Sequence, residues 1–332
     1  MPLFDAYMVV DWSARAVPNA GRDSIWIGFG RRPRGRRSRA AALALDASTN
    51  PTTREAATRD IGQRLESLVH ENARVFVGFD FPYGYPRGLA CALRRHPQAG
   101  DDPSVPDWRF LWRRFESLIQ DAHDNANNRF AAAARLNAAM GRSPGPFWGG
   151  PPRWQTTTFR STGPQFPYAL LSPRMPSPRA PSSAGPSLRQ YRLAELAMRA
   201  RGQQVQETWK LYGNGSVGSQ SLMGIPRVAA LRWGTPGLAA HSRIWPFETG
   251  FTAQPAPDQG PFILHAEIWP RVAPFEACAT KVKDEIQVEC LVRWLAARDN
   301  AGELGGLLDA PAGLTPEQID DCLQEEGWIV GA

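Results

Sequence analysis

Cysteine is scarce and dispersed in this chain of 332 residues. The four thiols, Cys91, Cys278, Cys290 and Cys322, form no CxxC pair and no Cys/His pair at zinc-ligand spacing, so the pattern reads as buried free thiols rather than a disulfide scaffold or a structural zinc site. No apolar run approaches the ~20 residues a bilayer span requires. The opening MPLFDAYMVVDW carries Asp5 and Asp11 where a signal peptide needs a basic head and an unbroken apolar stretch. The expectation is a soluble, cytoplasmic protein with no membrane partner. GxSxG is missing and histidine is limited to five positions, so neither a Ser-His-Asp arrangement nor a reactive-cysteine context stands out. Lysine is confined to Lys210, Lys281 and Lys283, which leaves arginine to carry the positive charge. There is no internal repeat.

Apolar material, by contrast, is ample. Hydrophobic residues make up 42% of the chain and charged residues 21%, with 12 Trp and 15 Phe, enough for one elaborated domain or two unequal lobes. The formal charge of +6 and a pI near 9.4 suit polyanionic partners, nucleic acid or a phosphorylated small molecule. A general preference for arginine codons would give the same numbers without a partner.

The N-terminal third alternates short β-favouring runs, 6–12, 24–30 and 41–47, with polar and Gly/Pro/Arg segments, the pattern of a meander. A helical repeat follows, with Ile61, Leu65, Leu68 and Val69 on one face after the capping candidate Asn50-Pro51-Thr52. ARVFVGFDF then reads as a strand buried on both faces. The order β-β-β-α-β makes the fourth strand parallel to the first, because a helix crosses between them. Residues 105–140 read as one long helical stretch, 141–187 as Pro, Ser, Gly and Arg-rich chain, and 187–202 as helix again. TWKLYG (208–213) is a strand candidate, 261–270 a buried strand and 283–299 an amphipathic helix, with a last short helix opening at Thr315. The expected organisation is an N-terminal half-core (1–104), a helical and Pro-rich cap (105–207) and a C-terminal half-core (208–332).

Acids interrupt apolar strands at equivalent points: VVDW at Asp11, VGFDFP at Asp80 and HAEIWP at Glu267, with Asp284 or Glu285 opening the helix that follows. Ligands of open α/β sheets gather at the carboxyl ends of strands. If strands one and four are neighbours, Asp11 and Asp80 meet there as like charges that a hard cation such as Mg²⁺ would neutralise. Taken singly, each acid reads equally well as a strand-end turn cap.

These residues carry a resemblance. The meander with a terminal Asp, a helix, and a strand ending in an acid is the order of the ribonuclease-H-like superfamily. Gly78-Phe79-Asp80-Phe81-Pro82-Tyr83-Gly84-Tyr85-Pro86 resembles the G-(I/F)-D-x-P-x-G-x-P signature of the uncharacterised proteins described as predicted RNase-H-like nucleases. Residues 8–13 are similar to that family's first strand, 266–270 to its E-(V/I)-(Y/W)-P segment and 283–289 to its closing acidic helix. The likeness covers 5–90 and 260–300. Where family members often carry H-D-x-x-D-A, this chain has Asp284-Glu285-Ile286-Gln287-Val288-Glu289, which leaves Asp284 and Glu285 both open. The resemblance implies an α/β ribonuclease-H-like mixed sheet with a cap insertion, and a phosphodiester hydrolase with two divalent ions, Mg²⁺ or Mn²⁺. Asp11 would be shared between them, Asp80 and Glu267 would each hold one, and Asp284 or Glu285 would close the second site.

Further segments bear on a phosphate-containing substrate. Gly213 to Gln220 spells GxGxxG and precedes a stretch with helical character, so Gly215, Ser216, Ser219 and Gln220 suit a phosphate at a helix N-terminus. A dinucleotide fold or a plain turn fits the same letters. The cluster Arg31, Arg32, Arg34, Arg36 and Arg37 would grip phosphates or simply be a solvated hairpin tip. Asn125, Asn128 and Arg129, assigned to the long helix, would orient a substrate or face solvent. Two other classes stay open: an enzyme on a small nucleotide or phosphorylated metabolite, and a non-catalytic nucleic-acid-binding module.

Overall fold

The computed structural model describes residues 1–33, 43–95, 102–141, 143–170, 187–275 and 278–332. Strand β1 (Ala6–Asp11) is buried until its last residue, as its apolar run requires. It pairs antiparallel with β2 (Trp26–Arg31), Val10 opposite Ile27 and Asp11 opposite Trp26, and β2 pairs with the short β3 (Ala44–Leu45). Helix α1 (Arg54–His70) starts on Thr53, whose side chain accepts the Ala56 N–H, and buries Ala57, Ile61, Leu65 and Leu68 at helical spacing. It crosses to β4 (Arg74–Phe79), which lies parallel to β1.

Beyond β4 come α2 (Leu89–Arg94), α3 (Asp107–Leu118) and α4 (Arg129–Met140). The single helix expected over 105–140 is therefore two. The break falls at Asn125, held at φ +70°, a conformation asparagine tolerates better than most residues. Its side chain accepts the Arg54 N–H and donates to the carbonyls of Val17 and Thr52, so tertiary contacts fix the turn. A small hairpin of β5 (Tyr168–Ala169) and β6 (Ser187–Leu188) precedes α5 (Leu193–Ala200). The 208–213 segment makes only an isolated bridge, Lys210 to Trp148, rather than a strand.

The chain continues through α6 (Val217–Ala229), α7 (Pro236–Ala239), β7 (Ser242–Ile244), β8 (Phe262–Glu267), α8 (Lys283–Ala301), α9 (Leu304–Leu308) and α10 (Pro316–Asp321). The result is an α/β fold around a six-stranded mixed sheet of order β3-β2-β1-β4-β8-β7. Strand alternation splits the core in two. Met8, Val10, Val77 and Phe79 pack with Ile61 and Leu65 of α1. Tyr7, Val9, Leu264 and Ala266 pack with Val288, Leu291 and Leu295 of α8 on the other face. That second helix sits close: a Cβ on Gly28 of β2 would lie 3.0 Å from the Val288 backbone. None of the described helices is long and apolar enough to cross a membrane.

Candidate functional site

Val10 and Phe79 are register partners, so the next residue on each parallel strand, Asp11 and Asp80, meets its neighbour at the carboxyl edge of the sheet. The Asp80 N–H donates to the Val10 carbonyl at 3.2 Å, and Asp80 Oδ1 accepts the Trp12 N–H at 2.8 Å. Burial pushes the Asp80 carboxyl up to about 7, with the charge of Asp284 adding to the rise against the Trp12 hydrogen bond. Burial, then the charges of Asp80 and Asp284, raise Asp11 well above the usual carboxylate range. No arginine, lysine or histidine among the described residues pairs with either acid. Asp284 arrives from the first turn of α8, where its Oδ2 accepts the Asp23 N–H at 2.8 Å.

Facing these acids is the start of α6. Gly213 and Gly215 take φ of +86° and +72°, which a residue with a side chain adopts only under strain, and so turn the chain into the helix. Gly218 lets that helix press on the preceding segment, since a Cβ there would lie 2.2 Å from the Thr208 carbonyl oxygen. Ser219 Oγ donates to the Leu211 carbonyl and accepts Arg129 Nε at 3.0 Å. Gln220 Nε2 donates to the Trp12 carbonyl at 2.6 Å, tying α6 to the residue after Asp11. Arg129 also donates from Nη1 to Asn127 Oδ1 and lies over the Phe130 ring at 4.2 Å. Burial, helped by the charge of Arg54, lowers Arg129 to about 10. A cleft of about 510 Å³ is lined by Asp11 and Asp284 together with Arg129, Gly215, Ser216, Ser219 and Gln220.

Other expected members lie elsewhere. Glu267 is the register partner of Phe79, not of Asp80, so it shares the Phe79 face of the sheet and points away from the acid pair. There Arg192 takes it, Nη1 to Oε2 at 2.8 Å and Nη2 to Oε1 at 2.6 Å, and the Tyr83 N–H adds a third bond. Glu285 pairs with Lys281 at 3.2 Å. Arg31 pairs with Glu71, and Arg32 is buried, donating to the Phe4 carbonyl, Asn300 and the Tyr7 hydroxyl. Arg34, Arg36 and Arg37 lie outside the described residues. Asn125 is a buried bracket, and Asn128 Oδ1 accepts the Gln120 N–H; of that polar run, only Arg129 lines the cleft. Asp23 and Tyr212 line it too, without having been singled out. Asp23 was within reach of sequence reasoning: it lies three residues before the start of β2, whose Trp26 pairs with Asp11.

Among the described residues no group of three or more His, Cys, Asp or Glu forms a metal cage. Asp11 and Asp80 offer two carboxylates with Asp284 beside them, the sparse oxygen set with which Mg²⁺ is bound together with waters and substrate phosphate. Glu267, held by Arg192 on the other face, does not join this set, and no second group of acids stands beside it among the described residues. Comparison of the chain with family models, with curated proteins and with solved structures finds no match.

Proposed function

We propose that the cleft is the site of a divalent-metal-dependent phosphodiester hydrolase on a ribonuclease-H-like frame, with nucleic acid as its substrate class. One observation carries the reading: Asp11, beside the carboxylates of Asp80 and Asp284 and without a cationic partner among the described residues, lines the same cleft as the start of α6 and Arg129, which has no acid partner among them. The strand order and the antiparallel second strand agree with the resemblance drawn from the sequence.

Asp11 and Asp80 would hold one Mg²⁺ or Mn²⁺ ion. Bound there, the ion supplies Lewis-acid charge and lowers the pKa of a bound water. The protein's own groups do the rest. Arg129, Ser216 and the N–H groups at the start of α6 receive the phosphate oxygens. Gln220, through the Trp12 carbonyl, fixes the spacing between that wall and the acids. Asp284, steadied by the Asp23 amide, accepts the proton of the attacking water.

The test is cleavage of a labelled oligonucleotide, and of a simple aryl phosphodiester, with Mg²⁺ or Mn²⁺. Wild type is expected to turn over, chelation to stop it, and Asp11→Asn and Asp80→Asn to lose about 10²-fold or more. Equal turnover in wild type and Asp11→Asn would remove the acid pair from the chemistry.

A further inference from the structure

The mouth of the cleft carries a ring that the phosphate chemistry does not use. Tyr212 is 58% exposed, directly precedes the Gly213 turn and lines the same cleft as Asp11 and Arg129. The aromatic cores around it are closed, with Trp209, Phe147 and Phe159 all buried. Its ring neighbour is Phe130, at 6.4 Å and 70°, and Phe130 is tilted against the half-buried Trp154 at 6.1 Å.

Cations interleave with them. Arg129 lies over Phe130, Arg153 over Trp154 at 6.0 Å, and Lys210 Nζ over Trp148 at 5.5 Å. None of the three has an acid partner among the described residues, whereas Arg54, Arg192, Arg227 and Arg232 are all paired with carboxylates. Aromatic faces alternating with cations that no carboxylate neutralises are the elements of a single-strand binding surface, because every base offers a π-face and every nucleotide a phosphate. In a duplex the base faces are hidden by their neighbours in the stack.

The geometry points to single-stranded nucleic acid as the ligand, with one base stacked on Tyr212 while an adjoining phosphate meets Arg129 and the 213–220 loop. Tyr212 and Gly213 are consecutive, so the ring and the phosphate donors lie within the reach of one nucleotide. The inference rests on the phosphodiester reading of the cleft and names the substrate form that reading leaves open.

Fluorescence anisotropy of the full chain in chelator, with a 5′-fluorescein-labelled 12-mer as probe, tests it. Tyr212→Ala is expected to bind the single strand about tenfold more weakly and Tyr212→Phe within about twofold of wild type. A strand of abasic residues should bind wild type as weakly as the intact strand binds Tyr212→Ala. Equal affinity of wild type and Tyr212→Ala, or of abasic and intact strands, overturns the stacking role. A duplex bound as tightly as the single strand, or a mononucleotide that competes at equal concentration, overturns the choice of ligand, and so does the absence of binding to any strand. Cleavage separates this from the parent reading. A strand cut by wild type and not by Asp11→Asn, with Tyr212→Ala binding normally, removes only the stacking; no cutting at all, with the Tyr212 effect present, removes only the hydrolase.

Discussion

Arg192 grips Glu267 with both prongs of its guanidinium, at 2.8 and 2.6 Å, and also donates to the Glu326 carbonyl and to Glu195. The arginine directly precedes α5 and the glutamate ends β8, so this carboxylate fastens the start of α5 to the sheet. Both side chains are buried. Breaking such a pair by removing one partner typically costs ~3–5 kcal/mol. Glu267→Gln, which keeps the shape, is expected to lower the unfolding free energy by about 3 kcal/mol in urea denaturation while the folded protein keeps its turnover within about twofold. Lost turnover at unchanged stability would return Glu267 to the cation site.

Asp80 should behave in the opposite sense. Burial pushes its carboxyl to about 7 in the folded chain, whereas the unfolded chain titrates near the ordinary value of 3.8. The folded state then binds more protons between those values, so the metal-free protein loses stability as pH rises from about 4 to about 7. Asp80→Asn removes the buried charge and keeps an acceptor for the Trp12 N–H. At pH 8 in chelator it is expected to be about 1–2 kcal/mol more stable than wild type, with the gap closing by pH 4. Added Mg²⁺ should raise the Tm of wild type and leave that of the variant unchanged.

His265 supplies the acid limb. It is fully buried with neither ring nitrogen hydrogen-bonded, and burial, with the charge of Arg232, holds it down at about 3. The unfolded chain takes up its proton near 6.5 and the folded chain does not, so stability is complete above 6.5 and is lost as pH falls toward 3. His265→Leu should flatten that limb by about 2 kcal/mol between pH 6.5 and 4, read from urea midpoints.

Gly218 tests how the start of α6 is seated. An added Cβ would meet the Thr208 and Lys210 carbonyl oxygens at 2.2 and 2.8 Å, and backbone cannot swing aside as a side chain can. Gly218→Ala is expected to cost about 2 kcal/mol and to weaken oligonucleotide binding. Gly237→Ala, where nothing lies within 4 Å, should leave both within about 0.5 kcal/mol.

Much of the frame was legible because apolar runs and helical spacing are local properties. The strand ending at Asp11, the strand before Asp80, α1 and α8 all lie where their patterns put them. Even the meeting of Asp11 and Asp80 follows from a parallel pair joined by a helix. What escaped depends on distant partners. Asn125 breaks a helical pattern because Arg54, Val17 and Thr52 hold it, and Arg32 sits in a basic run yet is buried against the Tyr7 hydroxyl. Glu267 was misplaced by one step of register: a strand-end acid is readable, but which face it takes depends on whether its partner is Phe79 or Asp80.

Asp11 and Asp80 are expected to hold one divalent ion between them, and calorimetric titration of Mn²⁺ into the full chain reads that uptake. Wild type and Glu267→Gln should take up one ion below about millimolar concentration, and Asp11→Asn and Asp80→Asn none. Heat absent from wild type at millimolar Mn²⁺, or undiminished in Asp80→Asn, would contradict it.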